Sequence, residues 1–313
     1  MRKLLLALAL VAGLSHGDDK LNHVAVSQII DHPALNDTYR GLEEQLIKEK
    51  IKVKLDLENA QGNNAIALQI AEKMAGQNPD VLVAIGTPAA QAALGVLNGQ
   101  VPLVFAAVTD PVAAKLVDSW ERTDKNVTGV VDGVPLAKNI ALIKELKPDL
   151  KKVGTIYNGG EANSAAAIKE LKAALAKENL ELVEAAATKT AEVQEAAQAL
   201  VGKVDVILLT LDNTAVSAVK TIVQTGEENK LPVFASDVGS VKNGAIAAQS
   251  FDYREVGREA GRQVAAILRG KPVAEIPVAT PKEIRLVINP AAAEKMGLKL
   301  PPAVLERAQE VIK

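Results

Sequence analysis

The chain of 313 residues contains no cysteine, which excludes disulfide bonds, thiol catalysis and cysteine-based metal sites. It has only three histidines, so a histidine-rich metal site is not expected. Aromatic residues make up 2% of the composition, so the cores must be built from Ala, Val, Leu and Ile. The formal net charge of −2 leaves no basic excess for a phosphate backbone, and nucleic-acid binding is not expected.

Strands and helices alternate along the chain, and the first half is echoed in the second half one βα unit at a time. Residues 80–87 align with 205–212, and residues 102–106 align with 232–235. The length and a hydrophobic content of 48% suit two domains with substantial cores. The repeat predicts an α/β protein with two doubly wound, Rossmann-like lobes on parallel sheets, joined by a hinge. Because ligands of open α/β sheets bind at the carboxyl ends of the strands, we expect a binding cleft between the lobes.

The C-terminal part departs from the simple repeat. A strand-like segment at 244–251 is followed by a long helix at 253–268 and by a further strand at 283–288. Such a tail can cross back between two lobes. We therefore predict a first lobe of residues 22–130 plus about 252–280, and a second lobe of residues 131–251 plus about 281–313.

The N-terminus has the pattern of a secretion signal over residues 1–17. Two basic residues precede an apolar segment at 4–12 that is too short to cross a bilayer, and Ser15 and Gly17 suit cleavage before Asp18. A buried first strand or helix is the alternative, but the charged, turn-like sequence that follows favours the signal. Because no cysteine is available for a lipid anchor, we predict a free protein in the periplasm of a two-membrane bacterium.

Three loops of the first lobe follow predicted strands and face the expected cleft. Thr87 is predicted to cap a helix, where its hydroxyl and nearby N–H groups could bind an anion, although an ordinary cap is an equal alternative. Asp110 could contact a ligand or simply begin a turn before Pro111. His32 has no nearby nucleophile, so a catalytic role is not favoured. The candidate ligand-binding residues of these loops are Leu35, Gly86, Thr87, Val108, Thr109 and Asp110. Leu35 could line an apolar pocket for a side chain.

The second lobe offers matching loops with different chemistry. The stretch 158–164 carries glycines that allow close backbone approach, and Asn163 and Ser164 could donate to a carboxylate at a helix start. It lacks the spacing of a dinucleotide fingerprint, so no such cofactor is expected. Asp237 follows a strand without an evident cationic partner, which suggests pairing with a ligand cation; a helix N-cap is the alternative. The candidate ligand-binding residues of this lobe are Asn158, Asn163, Ser164, Asp212 and Asp237. For Asp212, a helix cap is again the alternative.

Several of these segments, in their order and spacing, match a known family. They are His32-Pro33-Ala34-Leu35, Ala84-Ile85-Gly86-Thr87-Pro88-Ala89-Ala90-Gln91, Phe105-Ala106-Ala107-Val108-Thr109-Asp110-Pro111, Asn126-Val127-Thr128-Gly129, Tyr157-Asn158 through Asn163-Ser164, Ser236-Asp237 and Tyr253-Arg254-Glu255-Val256-Gly257-Arg258. Over essentially the whole mature chain the sequence resembles the substrate-binding proteins of ABC transporters, specifically the tryptophan/tyrosine type with the type I periplasmic binding protein fold.

The resemblance implies two lobes, joined by three crossovers, that close on a small molecule. It implies an aromatic or apolar amino acid as ligand, such as tryptophan, phenylalanine or tyrosine, and ABC permease subunits in the membrane as partners. The ligand carboxylate would meet Thr87 or the helix start at Asn163 and Ser164, and its ammonium would meet Asp237. Many relatives are lipid-anchored, and this chain departs from them in having no cysteine.

The leading interpretation is a monomeric solute-binding protein that traps its ligand by lobe closure, without cofactor, metal or catalytic residues. A sensory binding protein that docks on a receptor is one alternative, because sensing and transport both use the outer surfaces of the lobes. An extracytoplasmic enzyme using the same cleft is the other. Cofactor-independent racemases of this shape usually need paired thiols, and a hydrolase needs a nucleophile with a base, for which the sequence has no evident pair.

Overall fold

The first lobe is built on a parallel sheet that places its strand ends at one edge. The computed structural model describes residues 21–120 and 125–312, so the predicted signal peptide lies outside the described residues. The elements are β1 (Asn22–Gln28), α1 (Pro33–Lys48), β2 (Val53–Asn59), α2 (Asn64–Gly76), β3 (Val81–Ile85), α3 (Thr87–Leu97), β4 (Leu103–Val108) and β5 (Val127–Val131). The strand order is β2-β1-β3-β4-β5, and all pairings are parallel.

Burial along the strands explains why these segments form a sheet covered on both faces. Strands β3, β4 and β5 are buried over their whole length. For β3 and β4 the unbroken apolar runs predict this. The edge strand β2 is only partly buried, in agreement with its alternating sequence. Residues 127–131 form the fifth strand of this sheet, which was not predicted from the sequence. Helix α1 begins at Pro33, because proline suits the first helical turn, so Leu35 lies in this helix and not in the loop predicted for it.

The second lobe repeats the pattern with four strands. Its elements are α4 (Leu136–Leu146), β6 (Lys152–Tyr157), α5 (Ala162–Lys177), β7 (Glu181–Ala186), α6 (Val193–Leu200), β8 (Val206–Leu209), α7 (Asn213–Ser217), α8 (Val219–Asn229), β9 (Val233–Ala235) and α9 (Val238–Lys242). The order β7-β6-β8-β9 is again parallel throughout. Helices α7 and α8 are separate, since Ala218 leaves helical geometry between them.

The tail contributes to both lobes. It contains β10 (Ala247–Ser250), α10 (Tyr253–Leu268), β11 (Arg285–Ile288), α11 (Pro290–Lys295), α12 (Pro302–Glu306) and β12 (Glu310–Val311). Strands β10 and β11 pair antiparallel and β11 and β12 parallel, so this small third sheet is the exception to the parallel pattern. Among the described residues, no helix has the length and apolar character needed to cross a membrane.

Two large apolar cores divide the chain in the way the sequence suggested. The first contains the central strands of the first sheet together with Val256, Ala260 and Val264 from α10. The second contains the central strands of the second sheet together with Leu286 and Ile288 from β11. These memberships support the two-part lobe division, which we retain as our proposal.

Helices α1 and α10 approach each other unusually closely. A Cβ atom at Gly257 would overlap the Thr38 carbonyl oxygen, and one at Gly41 would overlap the Arg254 carbonyl oxygen. The contact therefore requires glycine on both helices. Beside it, Arg269 binds Glu49 at 2.8 Å. This packing holds α10 on the first lobe and so positions its first residue, Tyr253, at the cleft.

Candidate functional site

A narrow cavity lies between the two lobes. It is bordered by residues that follow strands of both sheets and by residues at the crossovers. Five of the eleven predicted binding residues line it, and within the described chain the other six do not. The lining residues are His32, Ala34, Leu35, Thr87, Ala107, Thr109, Asp132, Asn163, Leu211, Asn213, Val216, Asp237 and Tyr253.

Asp132 is a buried carboxylate at the crossover from the first lobe to the second. It is 4% exposed, and it accepts hydrogen bonds from the Tyr253 hydroxyl at 3.0 Å and from the Thr109 hydroxyl at 3.2 Å. Burial, with a smaller contribution from the charge of Asp237, raises its pKa to about 6. Asp132 was not among the binding residues predicted from the sequence. Like Asp237, it is a carboxylate directly after a buried strand, so recognition of β5 as a strand is the signal that could have found it.

Asp237 approaches the cavity from the second lobe. Its carboxylate caps α9, accepting from the Ser240 N–H at 2.7 Å and from the Ser240 hydroxyl at 2.5 Å. It is 1% exposed, and burial raises its pKa. The helix-cap interpretation made from the sequence is therefore confirmed, and the same residue borders the cavity; its pairing with a ligand cation stays a prediction.

The two carboxylates share the cavity without a protein cation. In the described ranges, the cavity lining includes neither Lys nor Arg. Nor do the described residues contain a cluster of three acidic or histidine side chains suited to a metal ion. Two buried like charges destabilise each other and the folded chain unless a cation compensates them. The cavity is therefore suited to a ligand that brings a positive group.

Glu161, beside the cavity, organises the amide side chains of the second lobe. It is 6% exposed and accepts from Asn213 Nδ2 at 2.5 Å, Asn163 Nδ2 at 3.1 Å and the Thr214 hydroxyl at 2.9 Å. Asn163 Nδ2 also donates to the Leu211 carbonyl oxygen at 2.9 Å. The amide donors of Asn163 are thus already used within the protein, rather than being free for a ligand carboxylate.

His32 connects the two lobes across the cavity. Its Nε2 lies 3.3 Å from Asn213 Oδ1, so the N-cap residue of α1 meets the first residue of α7. The imidazole is 7% exposed, and burial lowers its pKa to about 4. His32 is therefore a neutral hydrogen-bonding group at this interface.

Asp212 and its neighbours form a structural cluster behind the cavity. Asp212 caps α7 through the Ala215 N–H at 2.7 Å, and it also accepts from the Asn158 N–H at 2.6 Å and from the Ser164 hydroxyl. Burial and the charge of Glu161 raise its pKa to about 6. The Ser164 hydroxyl, predicted as a donor to a ligand, is used here instead. Asp212, Asn158 and Ser164 hold the loops that present the cavity residues.

Thr87 lines the cavity but does not cap α3 as predicted. The N-cap is Gly86, whose φ of 92° is a conformation that favours glycine, and no side-chain cap bond is formed. A Cβ atom at Gly86 would also lie 2.5 Å from Ile29 Cγ2. Gly86 is thus required by the turn, which delivers the Thr87 side chain to the cavity at the positive end of α3.

A bulge in β4 explains why Ala107 and Thr109 line the cavity and Val108 does not. The pairing with β5 shifts register between Ala106 and Val108, and Ala107 has a φ of 54°. Such a bulge redirects side chains locally. Val108 remains fully buried in the sheet, and Asp110 binds the N–H groups of Val112 at 3.0 Å and Ala113 at 2.9 Å, as the turn alternative predicted.

Two Rossmann-like lobes with a closed polar cavity between them define a protein of the type I periplasmic binding class. A family model described as ABC transporter substrate binding protein matches residues 23–312, and the chain belongs to this family. The chain is 38% identical over 274 residues to a tyrosine-binding protein of Clostridioides difficile, covering 86% of this chain and 79% of that protein.

Two solved structures show how the lobes are arranged. An ABC domain in complex with L-Trp from Streptococcus pneumonia is 31% identical, with a TM-score of 0.89 over 94% of this chain and 100% of that one. A ligand-free, open substrate-binding protein from Clostridium difficile is 33% identical, with a TM-score of 0.69 over 94% and 99%. At nearly equal identity, the chain is thus more similar in structure to the ligand-bound protein than to the ligand-free, open one.

Proposed function

We propose that this protein captures an aromatic amino acid between its lobes and delivers it to an ABC permease in the membrane. Family membership supports transport as the role. The ligand class is supported by the name of one relative, a tyrosine-binding protein, and by the L-Trp complex of another. The apolar part of the cavity, formed by Leu35, Leu211 and Val216, suits the side chain of such a ligand.

The observation that carries this proposal is the pair of buried carboxylates. An α-ammonium group between Asp132 and Asp237 would compensate two charges for which the cavity offers no protein cation. The ligand carboxylate would then lie near Thr87, where the α3 terminus and the hydroxyl group favour an anion. This placement uses chemistry from both lobes, so a bound amino acid would stabilise the closed arrangement.

We further propose that residues 1–17 direct the chain out of the cytoplasm, and that the mature protein acts as a free monomer in the periplasm. Members of this family are extracytoplasmic, which supports that location. Mass spectrometry of the secreted protein should find a mature N-terminus at Asp18.

A thermal-shift screen of ligand-stripped protein against the common amino acids tests the function. A ligand present at about 100 times its Kd stabilises the folded protein by about 2.7 kcal/mol, which raises Tm by about 4 °C in a protein of this size. We expect L-tyrosine or L-tryptophan to do so. The analogue of the same ligand without its ammonium group serves as the matched control, and it should bind at least about thirtyfold more weakly. No response to any amino acid, or equal binding of the two, would contradict the proposal.

A further inference from the structure

Two buried hydrogen-bond acceptors of the cavity lining have no partner in the described chain. Nine buried side-chain N or O atoms of the described residues lack a hydrogen bond, and His32 Nδ1 and Asn163 Oδ1 are the two that belong to lining residues. His32 is 7% exposed and Asn163 is 3% exposed. Leaving such atoms unpaired is unfavourable, so their surroundings must be explained.

The hydrogen-bond network determines that Asn163 presents an acceptor. Its Nδ2 donates to the Glu161 carboxylate at 3.1 Å and to the Leu211 carbonyl oxygen at 2.9 Å. Turning the amide over would place its oxygen against two other oxygens. Asn163 Oδ1 is therefore the free atom, and it can only accept.

The Glu161 carboxylate also determines the tautomer of His32, through Asn213. Asn213 Nδ2 donates to Glu161 at 2.5 Å, so Asn213 Oδ1 faces His32 and receives the proton of Nε2 at 3.3 Å. The buried ring is neutral at pH 7, with a pKa of about 4. A neutral imidazole with a protonated Nε2 has a lone pair on Nδ1. Both unpaired atoms are thus acceptors.

The ammonium and carboxylate of an α-amino acid bound as proposed above cannot satisfy both of these atoms. The ammonium has three N–H donors, of which Asp132 and Asp237 use two, and the carboxylate has no hydrogen to donate. We infer that at least one of His32 Nδ1 and Asn163 Oδ1 receives a hydrogen bond from the side chain of the ligand. The inference rests on the proposed function and narrows its ligand to amino acids whose side chain carries an N–H or O–H donor, such as an indole or a phenol.

The expected selectivity follows from the cost of leaving buried acceptors unpaired. A ligand with an isosteric hydrocarbon side chain excludes water from both atoms and leaves at least one of them unpaired. Each unpaired acceptor weakens binding by about five- to 150-fold. A site built to bind a side-chain hydroxyl or N–H is therefore far more selective than an apolar pocket of the same shape.

Isothermal titration of the full mature chain with two ligand pairs tests this inference. L-Tyrosine is compared with L-phenylalanine, and L-tryptophan with its benzothiophene analogue, in which sulfur replaces the indole N–H. In at least one pair, the donor-bearing ligand should bind tenfold or more tightly. Equal affinities within both pairs would overturn the inference and leave amino-acid binding intact, whereas no binding of any of the four would count against the proposed function as well.

Two variants assign the preference to the named atoms. His32→Phe and Asn163→Leu each remove one acceptor at similar volume, and at least one should reduce the preference to threefold or less. Thr87→Ala is the control, since it should weaken both members of a pair equally and leave their ratio unchanged. Circular dichroism and Tm confirm folding of each variant. A preference that persists in both acceptor variants would overturn the assignment.

Discussion

Replacing Asp132 by Asn should stabilise the ligand-free protein while weakening ligand binding. The isosteric amide keeps the local hydrogen bonds, because the Tyr253 hydroxyl can still donate to the amide oxygen and the Thr109 hydroxyl can accept from the new NH₂ group. What disappears is the charge, which is buried beside a second carboxylate at Asp237. The two effects have opposite signs, so a general loss of folding cannot imitate them.

The size of the stabilisation follows from the pKa of Asp132. Burial raises the pKa of Asp132 from 3.8 to about 6, so the folded state favours the protonated carboxyl. The contribution of this group to the free energy of unfolding of the wild type is therefore full below pH 3.8 and is lost as the pH rises through about 6. The variant should exceed wild type by up to ~3 kcal/mol at pH 7 and by ~1.6 kcal/mol at pH 5, with no difference well below pH 3.8. These are upper values, since lobe opening rehydrates the carboxylate. Other titrating groups cancel in the comparison.

Urea denaturation of both proteins at pH 7 and pH 5, without ligand, measures the stability difference. Titration calorimetry at pH 7 should show an affinity for L-tyrosine or L-tryptophan reduced by about thirtyfold or more, because one partner of a buried charge pair is lost. Asp110→Asn is the matched control. It makes the same chemical change in a nearby carboxylate that serves a turn through Oδ1, and it should leave both measurements unchanged. Unchanged affinity in Asp132→Asn, or a stability difference that grows as the pH falls, would refute the reasoning.

Two other predictions concern packing and closure. Gly257→Ala should lower the free energy of unfolding by about 1–3 kcal/mol or more, because its methyl group meets the Thr38 carbonyl in the α1–α10 contact. Gly95→Ala on α3, where the space around the residue is open, should raise it by about 0.5–1 kcal/mol. Urea denaturation measures both, and equal effects would contradict the packing argument. Trp120, the only tryptophan, is 39% exposed in a groove lined by residues of both lobes. Binding of L-tyrosine should therefore shift its fluorescence emission to shorter wavelength as the lobes close. An unchanged spectrum, with a ligand whose binding calorimetry has shown, would exclude such a rearrangement around Trp120.

Much of the fold could be predicted because its determinants are local. Strands β3 and β4 occupy the predicted residues, since continuous apolar runs between turn signals need no tertiary context. Helix α10 also occupies its predicted range. The antiparallel pairing of β10 with β11 could not be predicted in this way, because strand direction depends on where the returning chain passes.

The site was only partly accessible to sequence reasoning. A carboxylate after a buried strand led to Asp237, but Asp132 was missed because β5, which contains Thr128 and Gly129, was not predicted as a strand. Extending the alignment of residues 102–106 with 232–235 places Val108 opposite Asp237, but the bulge at Ala107 alters which side chains reach the cavity. A bulge depends on pairing with a neighbouring strand and leaves no local pattern.

The sequence by itself determined the α/β frame, the repeat and the edge of each sheet at which a ligand would bind, because hydrophobic period and turn residues act over short distances. Only the tertiary structure decided the chemistry of the cavity. Asp132 and Asp237 are 105 positions apart in sequence, and the acceptor state of His32 depends on Asn213 and, through it, on Glu161. Charge repulsion and hydrogen-bond direction depend on atoms that meet only when the two lobes close.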